Sequence, residues 1–346
     1  MSDAEAAQPV VGFLRRTRTV VVRAATAAGG RGGALVILLA LVLVFSLTAE
    51  NFLSEDNLRN ILRQYSVPAI LAVGQTLVIV SAGIDLSVAS TAALSGSVMG
   101  VLYAHEGWPE PLALLMGLLA GFAVGAINGF VITKWRVPDF IATLGAFTAV
   151  RGVALLVTDG LPVPDYTKAQ EGRTVPDSIS TLGAESVFGI PQIALVAAAC
   201  ALVGWFILSR TTLGRAAYAI GGNREAARVS GIRVERTKWA IYIISGLMAA
   251  VAGFMLTGRQ GSANALMGEG MELQSIAAVV VGGTNLFGGE GTIGGTIIGV
   301  LIIGVLNNGL NILGVADFWQ RVVNGSIIVA VVALDQWRRR AAVRTQ

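Results

Sequence analysis

Long uncharged stretches dominate the pattern of hydrophobic and polar positions along this chain. They consist mainly of Ala, Val, Leu, Ile and Gly, and most approach the ~20 residues that a helix needs to cross a bilayer. The pattern predicts an all-α polytopic membrane protein with about ten transmembrane helices, a membrane region over 33–336, and tails at 1–32 and 337–346. The predicted runs are 33–49, 66–82, 87–104, 111–133, 139–157, 190–208, 239–257, 275–288, 293–313 and 320–336.

Two polar, glycine-containing stretches interrupt this apolar pattern. "SAGIDLSVAS" (81–90) places Asp85 and two serines after the second run, and "VGGTNLFGGEGTIGG" (281–295) follows the short eighth run. Each of runs two to five corresponds to the run five places later, in the set seven to ten. An odd number of crossings separates the members of each pair, so they have opposite orientation, and the two polar breaks fall at corresponding positions. This arrangement predicts broken helices and an inverted repeat with a site near its interface.

Charge is scarce and unevenly distributed. Only 13% of the 346 residues are charged, against about a quarter in a soluble domain. Of the 25 Lys and Arg residues, 18 fall in the tails and in the loops on the same side as the N-terminus, above all in 209–238, whereas loop 158–189 is acidic. The positive-inside rule therefore predicts cytoplasmic termini, a cytoplasmic loop 209–238 and an external loop 158–189. It also explains the net charge of +4 without a nucleic-acid partner.

Several catalytic and nucleotide-binding patterns can be excluded. "GEGTIG" at 289–294 has the spacing of a dinucleotide-binding loop, but it precedes an apolar run and no acidic residue follows at about 20 positions. The chain contains no Gly-Lys pair, so it has no Walker A phosphate loop. With one His and one Cys, it offers no catalytic constellation or metal-ligand set. We expect no enzymatic activity, no metal and no cofactor in this chain.

Polar side chains inside the apolar runs have two interpretations, because lipid offers them no hydrogen-bond partner. They could join helices to one another, at about 1 kcal/mol each. They could instead line a pathway whose amides meet the hydroxyl groups of a neutral polar solute. The predicted pathway residues are Gln75, Asn128, Thr143, Asn285, Asn308 and Asn311.

Glycines recur every fourth residue in the run 111–133. They are Gly117, Gly121, Gly125 and Gly129. On a helix this spacing forms one nearly continuous groove, which predicts close packing against a neighbouring helix.

The stretch "GGNREAARVSGI" (221–232) predicts a short helix within the basic loop. Asn223 can cap its first turn, Glu225 suits the positive end of the helix dipole, and Gly231 can end it in the left-handed conformation. A helix of about seven residues is unstable alone and needs a supporting surface. Ala226 and Ala227 would keep one side thin enough to enter a groove on a partner, although a solvated loop is an equally simple interpretation.

Four segments together resemble one known family, the membrane permeases of carbohydrate ABC importers of the ribose, xylose, arabinose and autoinducer-2 type. They are "GIDLSVAS", "VPDFIATLGAFTAVRG" (137–152), "TTLGRAAYAIGGNREAARVSGIRVER" (211–236) and "ELQSIAAVVVGGTNLFGGEGTIGGTIIGVLIIGVLNNGLNILGV" (272–315). The resemblance extends in order from about residue 50 to 335. Ala89 departs from it, standing where glycine is usual.

The resemblance implies an assembly of several chains in the plasma (inner) membrane. It implies a second permease copy or paralogue, an ABC ATPase subunit that binds ATP and Mg, and an extracytoplasmic sugar-binding protein. It further implies that Glu-Ala-Ala-x-x-x-Gly, from Glu225 to Gly231, docks on the ATPase, with Asn223, Ala226 and Ala227 in the same helix. The alternative is an ion-coupled secondary transporter, for which Asp85 is the candidate intramembrane carboxylate.

Overall fold

The computed structural model describes residues 32–316 apart from positions 166 and 171, and a few further positions between 318 and 333. Residues 1–31 and 334–346 lie outside the described part. So does most of the tenth predicted run, 320–336. The predictions made for both tails and for the last member of the inverted repeat therefore stay predictions.

The described chain is almost entirely helical, which confirms the all-α membrane fold. Five helices, α4, α5, α7, α10 and α12 in the numbering that follows, are long and apolar enough to cross a membrane. A π-helical turn over Val101–His105 continues α3, and β1 (Ser186–Val187) pairs antiparallel with β2 (Ile190–Pro191). The α-helices are α1 Gly33–Thr48, α2 Glu55–Val80, α3 Val88–Gly100, α4 Glu110–Lys134, α5 Asp139–Thr158, α6 Asp177–Ala184, α7 Gln192–Arg210, α8 Thr212–Gly222, α9 Arg224–Val229, α10 Val234–Gln260, α11 Met271–Val281 and α12 Ile293–Ile312.

Three predicted runs differ from the observed helices. Helix α2 begins at Glu55 rather than 66, because the Ser54 hydroxyl caps it by accepting a hydrogen bond from the Asn57 amide (3.3 Å). The prediction of one span over 275–288 was wrong in its second half. Helix α11 ends at Val281, and Gly283 turns the chain with φ of +91°. The run 87–104 is not one α-helix, because it changes to a π-helical turn at Val101.

The two long loops contain secondary structure that the apolar pattern did not predict. The loop 158–189 includes α6 and the β1 strand of the small hairpin, and the basic loop 209–238 includes α8 and α9. Their apolar residues are too few for a membrane span, yet Ile179 and Ile220 are buried against neighbouring helices.

The glycine groove on α4 packs against α10, as its spacing predicted. A Cβ atom on Gly121 would come within 2.5 Å of the Gly246 carbonyl oxygen, and one on Gly125 would collide with the Tyr242 carbonyl oxygen. The backbones of the two helices can therefore approach closely. In the most apolar window of α10, 72% of the residues are buried, against 17% in α5, so α10 is central and α5 peripheral.

Loops cluster at two opposite ends of the helices. The Gly289 amide donates to the Val80 carbonyl (2.9 Å) at one end, and the Gln170 amide donates to the Ala104 carbonyl (2.8 Å) at the other. The break face comprises 81–87, 135–138, 209–238 and 282–292. The long-loop face comprises 49–54, 105–109, 158–189 and 259–270. The described loops that the positive-inside rule assigned to the cytoplasm all lie on the break face.

Candidate functional site

A buried polar cluster occupies the first break, between α2 and α3, with Asp85 at its centre. Asp85 is only 2% exposed. Its Oδ1 accepts hydrogen bonds from the Ser87 amide (3.0 Å) and hydroxyl (2.6 Å), and its Oδ2 accepts one from the Ser245 hydroxyl (2.9 Å). These donors compensate the loss of water around a buried carboxylate and hold the break against α10.

Three of the predicted pathway residues meet at this cluster. The Gln75 amide donates to the Asp85 carbonyl, and the Asn128 amide donates to the Ser87 hydroxyl (2.9 Å). The Thr143 hydroxyl donates to the Ile84 carbonyl (3.0 Å). All three side chains are buried, and among the described residues the Gln75 Oε1 atom has no hydrogen-bond partner. Helices α2, α4 and α5 are thus joined at one polar point.

A buried ion pair beside this cluster was missed by the sequence analysis. Lys238, 3% exposed, places its Nζ 2.5 Å from Asp139 Oδ2, and the Tyr242 hydroxyl donates to the same oxygen (2.8 Å). Asp139 was the first residue of the predicted run 139–157 and Lys238 the last residue of the basic loop 209–238, and nothing in the sequence indicated that they pair. Only the tertiary structure brings Lys238 of α10 to Asp139 of α5, and their ion pair joins the two helices at the break face.

The other three predicted pathway residues lie elsewhere. Asn285 closes a turn in the second break, accepting from the Phe287 amide (3.0 Å) and donating to the Gly288 carbonyl (2.9 Å). Asn308 forms a reciprocal amide pair with Asn57 of α2, at 2.9 and 2.8 Å. Asn311 is exposed at the end of α12. The structure therefore brings together three of the six residues and leaves the other three apart, so the six do not form one lining. Their role in transport stays a prediction.

A second polar region, also absent from the sequence predictions, is an open cavity of about 480 Å³ at the long-loop face. It lies between the first turns of α2, the end of α10 and the start of α11. All of its α2 residues except Pro68 precede the predicted run 66–82 and were placed outside the membrane spans. The lining consists of Asn60, Arg63, Gln64, Tyr65, Pro68, Arg259, Met271 and Gln274.

The short helix predicted around residue 225 exists as α9. The Asn223 side chain caps it by accepting from the Ala226 amide (2.9 Å), and Gly231 ends it with φ of +84°. Glu225 lies in its first turn. The prediction that Ala226 and Ala227 share an outward side was wrong, because Ala227 is 4% exposed and packs inside its own chain.

The inward packing of Ala227 fixes α9 on its neighbours. Ala227 forms a small apolar cluster with Ile220 of α8 and Val234 of α10, and the Ile232 amide donates to the Ala227 carbonyl (3.0 Å). The side facing away carries Arg224, Glu225, Ala226 and Val229, all exposed. Such a short helix is stabilised mainly by this apolar contact and its two ends.

Helix α8 connects α9 to both breaks. A Cβ atom on Gly221 would collide with the Val80 carbonyl and with the Gly289 amide, which are hydrogen-bonded to each other. The Tyr218 hydroxyl donates to the Gly291 carbonyl (2.6 Å). A displacement of α8 must therefore move the end of α2 and the second break.

The long-loop face carries a separate charged contact. Lys168 Nζ lies 2.6 Å from Asp159 Oδ2 in loop 158–189. The hydrogen bond from Lys168, and then its charge, hold the pKa of the Asp159 carboxyl below its ordinary value. Both side chains are exposed, so this contact contributes little to stability. Within the described part of the chain, no three His, Cys, Asp or Glu side chains are grouped to hold a metal ion.

Comparison with known proteins identifies the family. Residues 57–332 match the family described as "Branched-chain amino acid transport system / permease component". The chain is 43% identical to the ribose import permease protein of Bacillus subtilis (strain 168), over 86% of this chain and 89% of that protein. It is also 43% identical to the ribose import permease protein of Escherichia coli (strain K12), over 87% of this chain and 92% of that one.

A third relative transports a different sugar. The xylose transport system permease protein of Escherichia coli (strain K12) is 36% identical, over 88% of this chain and 91% of that protein. The chain matches no solved structure. Matches of this length and identity, on a chain with at least five apolar membrane-length helices, show that it is a membrane permease belonging to the branched-chain amino acid transport system / permease component family.

Proposed function

We propose that this chain is the permease subunit of an ATP-driven ABC importer for a sugar or sugar-like solute. In this proposal a separate ATPase on the cytoplasmic side binds ATP and Mg, and an extracytoplasmic binding protein delivers the solute. Two permease copies, identical or paralogous, form the membrane part in the plasma (inner) membrane. The relatives named for ribose and xylose support a sugar as the solute.

The observation that carries this proposal is the placement of α9. One side of the helix is fixed on α8 and α10 through Ala227, and the other side is exposed and includes Val229, 81% exposed. A capped helix that its own chain holds on one side presents its exposed side in a fixed orientation, which suits a docking surface for a partner. Since α8 abuts Val80 and Gly289, a push on α9 by the ATPase would reach both breaks.

Reconstitution with both partners tests the proposal. The chain, its ATPase and its binding protein are placed in vesicles, and uptake of labelled ribose, xylose and other sugars is measured with ATP inside or outside. We expect uptake of at least one sugar only when the binding protein and the ATPase are on opposite sides and ATP reaches the ATPase. The proposal would be contradicted by uptake that does not depend on ATP. It would also be contradicted by an assembled complex that takes up none of the sugars.

We also propose that the buried cluster at the first break, with Gln75, Asn128 and Thr143, is part of the translocation route. Its hydrogen-bonded polar groups would exchange partners when the break face opens, with Asn285, Asn308 and Asn311 contributing elsewhere. Asn128→Leu should lower uptake at least fivefold while the ATPase still co-purifies, because the Ser87 hydroxyl loses its donor. Uptake equal to wild type in the Leu variants of all six residues would indicate that these side chains only join helices.

One observation favours the alternative, an ion-coupled carrier: Asp85 and Asp139 are carboxylates packed among membrane helices. The two mechanisms predict different energy sources. In ATP-loaded vesicles, a proton ionophore and sodium-free buffer should leave uptake unchanged if ATP hydrolysis drives it. Loss of uptake under either condition, with ATP hydrolysis maintained, would favour ion coupling.

A further inference from the structure

We infer that the open cavity at the long-loop face is the first binding site in the permease for a neutral polyhydroxylated solute. This inference rests on the proposed function, because it takes the long-loop face as extracytoplasmic and the solute as a sugar. The cavity lies where α2, α10 and α11 meet, on the side away from α9. A solute released by the binding protein would reach it before the buried cluster at the first break.

The cavity offers unused hydrogen-bonding groups. The side-chain amides of Asn60, Gln64 and Gln274 line it, and the described residues provide no hydrogen-bond partner for any of them. Arg63 Nε is buried and also lacks a partner within the described structure. A side-chain amide presents both donors and an acceptor, which matches a hydroxyl group that both donates and accepts.

The charge of the lining excludes a cation as the ligand. Two guanidinium groups, those of Arg63 and Arg259, are its charged members, and no carboxylate lines it, so a cation would be repelled. Arg259 uses Nη1 to bind backbone carbonyls of α2, which leaves the amides as most of the free polar surface. The three side-chain amides outnumber the two guanidinium groups, and each amide can both donate to and accept from a hydroxyl group, so the lining suits a neutral solute with several hydroxyl groups.

The position and size of the cavity agree with this role. Asn60 and Gln64 are exposed on α2 close to its entry into the apolar run, and amides cannot face lipid without losing hydrogen bonds. The cavity must therefore open to water or to a second permease copy. Its volume of about 480 Å³ falls within the ~300–1,000 Å³ typical of small-molecule sites.

The polar surface continues from the cavity towards α12. The Asn57 and Asn308 side chains are paired there by two reciprocal hydrogen bonds. These contacts are already satisfied, in contrast to the amides of Asn60, Gln64 and Gln274. The amides of the cavity are thus available to a solute, whereas the Asn57–Asn308 pair joins α2 to α12.

Uptake by a double variant, Gln64→Leu with Gln274→Leu, tests the inference in the reconstituted complex. At concentrations of loaded binding protein below saturation, we expect the rate of sugar uptake to fall at least tenfold. The ATPase should remain bound, and loaded binding protein should still stimulate ATP hydrolysis. Gln192→Leu is the matched control, because Gln192 begins α7 on the same face but does not line the cavity. Its uptake should stay within twofold of wild type.

A second variant decides the matter if the double variant fails to assemble. Gln274→Cys in a Cys200→Ser background should react with a membrane-impermeant thiol reagent from outside, and the bulky adduct should stop uptake. Wild-type uptake by the double variant, or an adduct that leaves uptake unchanged, overturns the cavity as a solute site. If the wild-type complex takes up no sugar, the proposed function itself fails, so the two failures are distinguishable.

Discussion

The guanidinium group of Arg259 donates a hydrogen bond to the carbonyl oxygen of Gln64, at 3.2 Å, across the interface between α10 and α2. Gln64 lies four residues before Pro68, which has no N–H and cannot bind that carbonyl within α2. The same Nη1 atom lies 3.3 Å from the Arg63 carbonyl. A side chain nearly 200 positions away thus supplies the donor that the proline removes, and α2 continues through it.

The first prediction concerns this contact. Arg259→Met keeps a long apolar stem but leaves the Gln64 carbonyl without its donor, so the free energy of unfolding should fall by about 0.5–1.5 kcal/mol. Thermal unfolding of the purified permease in detergent measures the change. Arg233→Met, at an exposed position before α10, is the control and should change stability by no more than about 0.5 kcal/mol.

A double-mutant cycle separates this explanation from general loss of packing. Pro68→Ala restores an N–H that can bind the Gln64 carbonyl within α2, so Arg259→Met should cost less in that background. If Arg259→Met costs the same with Pro68 and with Ala at position 68, the carbonyl is not the reason for the loss.

The second prediction compares two adjacent glycines at the end of α8. Gly221→Ala should force α8 away from Val80 and Gly289, lowering uptake at least tenfold and stability by about 1–3 kcal/mol. A Cβ atom on Gly222 meets nothing within 4 Å, so Gly222→Ala is the matched control. Equal uptake by the two variants would rule out the contact of α8 with the breaks as a path for coupling.

The third prediction uses the two alanines of α9, of which Ala226 is exposed and Ala227 is buried. Ala226→Trp, on the exposed side, should leave the unfolding temperature unchanged and abolish ATPase co-purification. Ala227→Trp should displace α9 from Ile220 and Val234 and lower the unfolding temperature of the permease itself. Retention of the ATPase by Ala226→Trp would mean that the partner does not dock on this side of α9.

The fourth prediction concerns orientation in the membrane. Lys168→Cys and Arg233→Cys, each in a Cys200→Ser background, place a thiol on the long-loop face and on the break face. In intact cells an impermeant thiol reagent should label the first and not the second, because the positive-inside rule assigns the basic loops to the cytoplasm. The reverse pattern would invert the topology, and labelling of both positions would contradict the assignment of these loops to opposite sides.

Local features of this protein were predictable from the amino-acid sequence alone. Apolar runs long enough to cross a bilayer predicted most of the helices, since burial of a hydrophobic segment depends on its own composition. The caps of α9 were predictable for the same reason: Asn223 binds an amide three residues away, and Gly231 adopts a φ that other residues rarely take. The glycines of α4 indicated close packing through their spacing.

Contacts between distant segments were decided only by the tertiary structure. The sequence showed Ala226 and Ala227 as equivalent neighbours, but the angle at which α9 meets α8 buries only Ala227. It showed six polar residues as one set, but three meet at Asp85, whereas Asn308 pairs with Asn57 at the opposite face. Helix α2 begins at Glu55 and continues through Pro68 because residues outside its apolar run, Ser54 and Arg259, supply the missing hydrogen bonds. A pattern of residue types carries no information on which distant partner will be present, because that depends on how the helices pack.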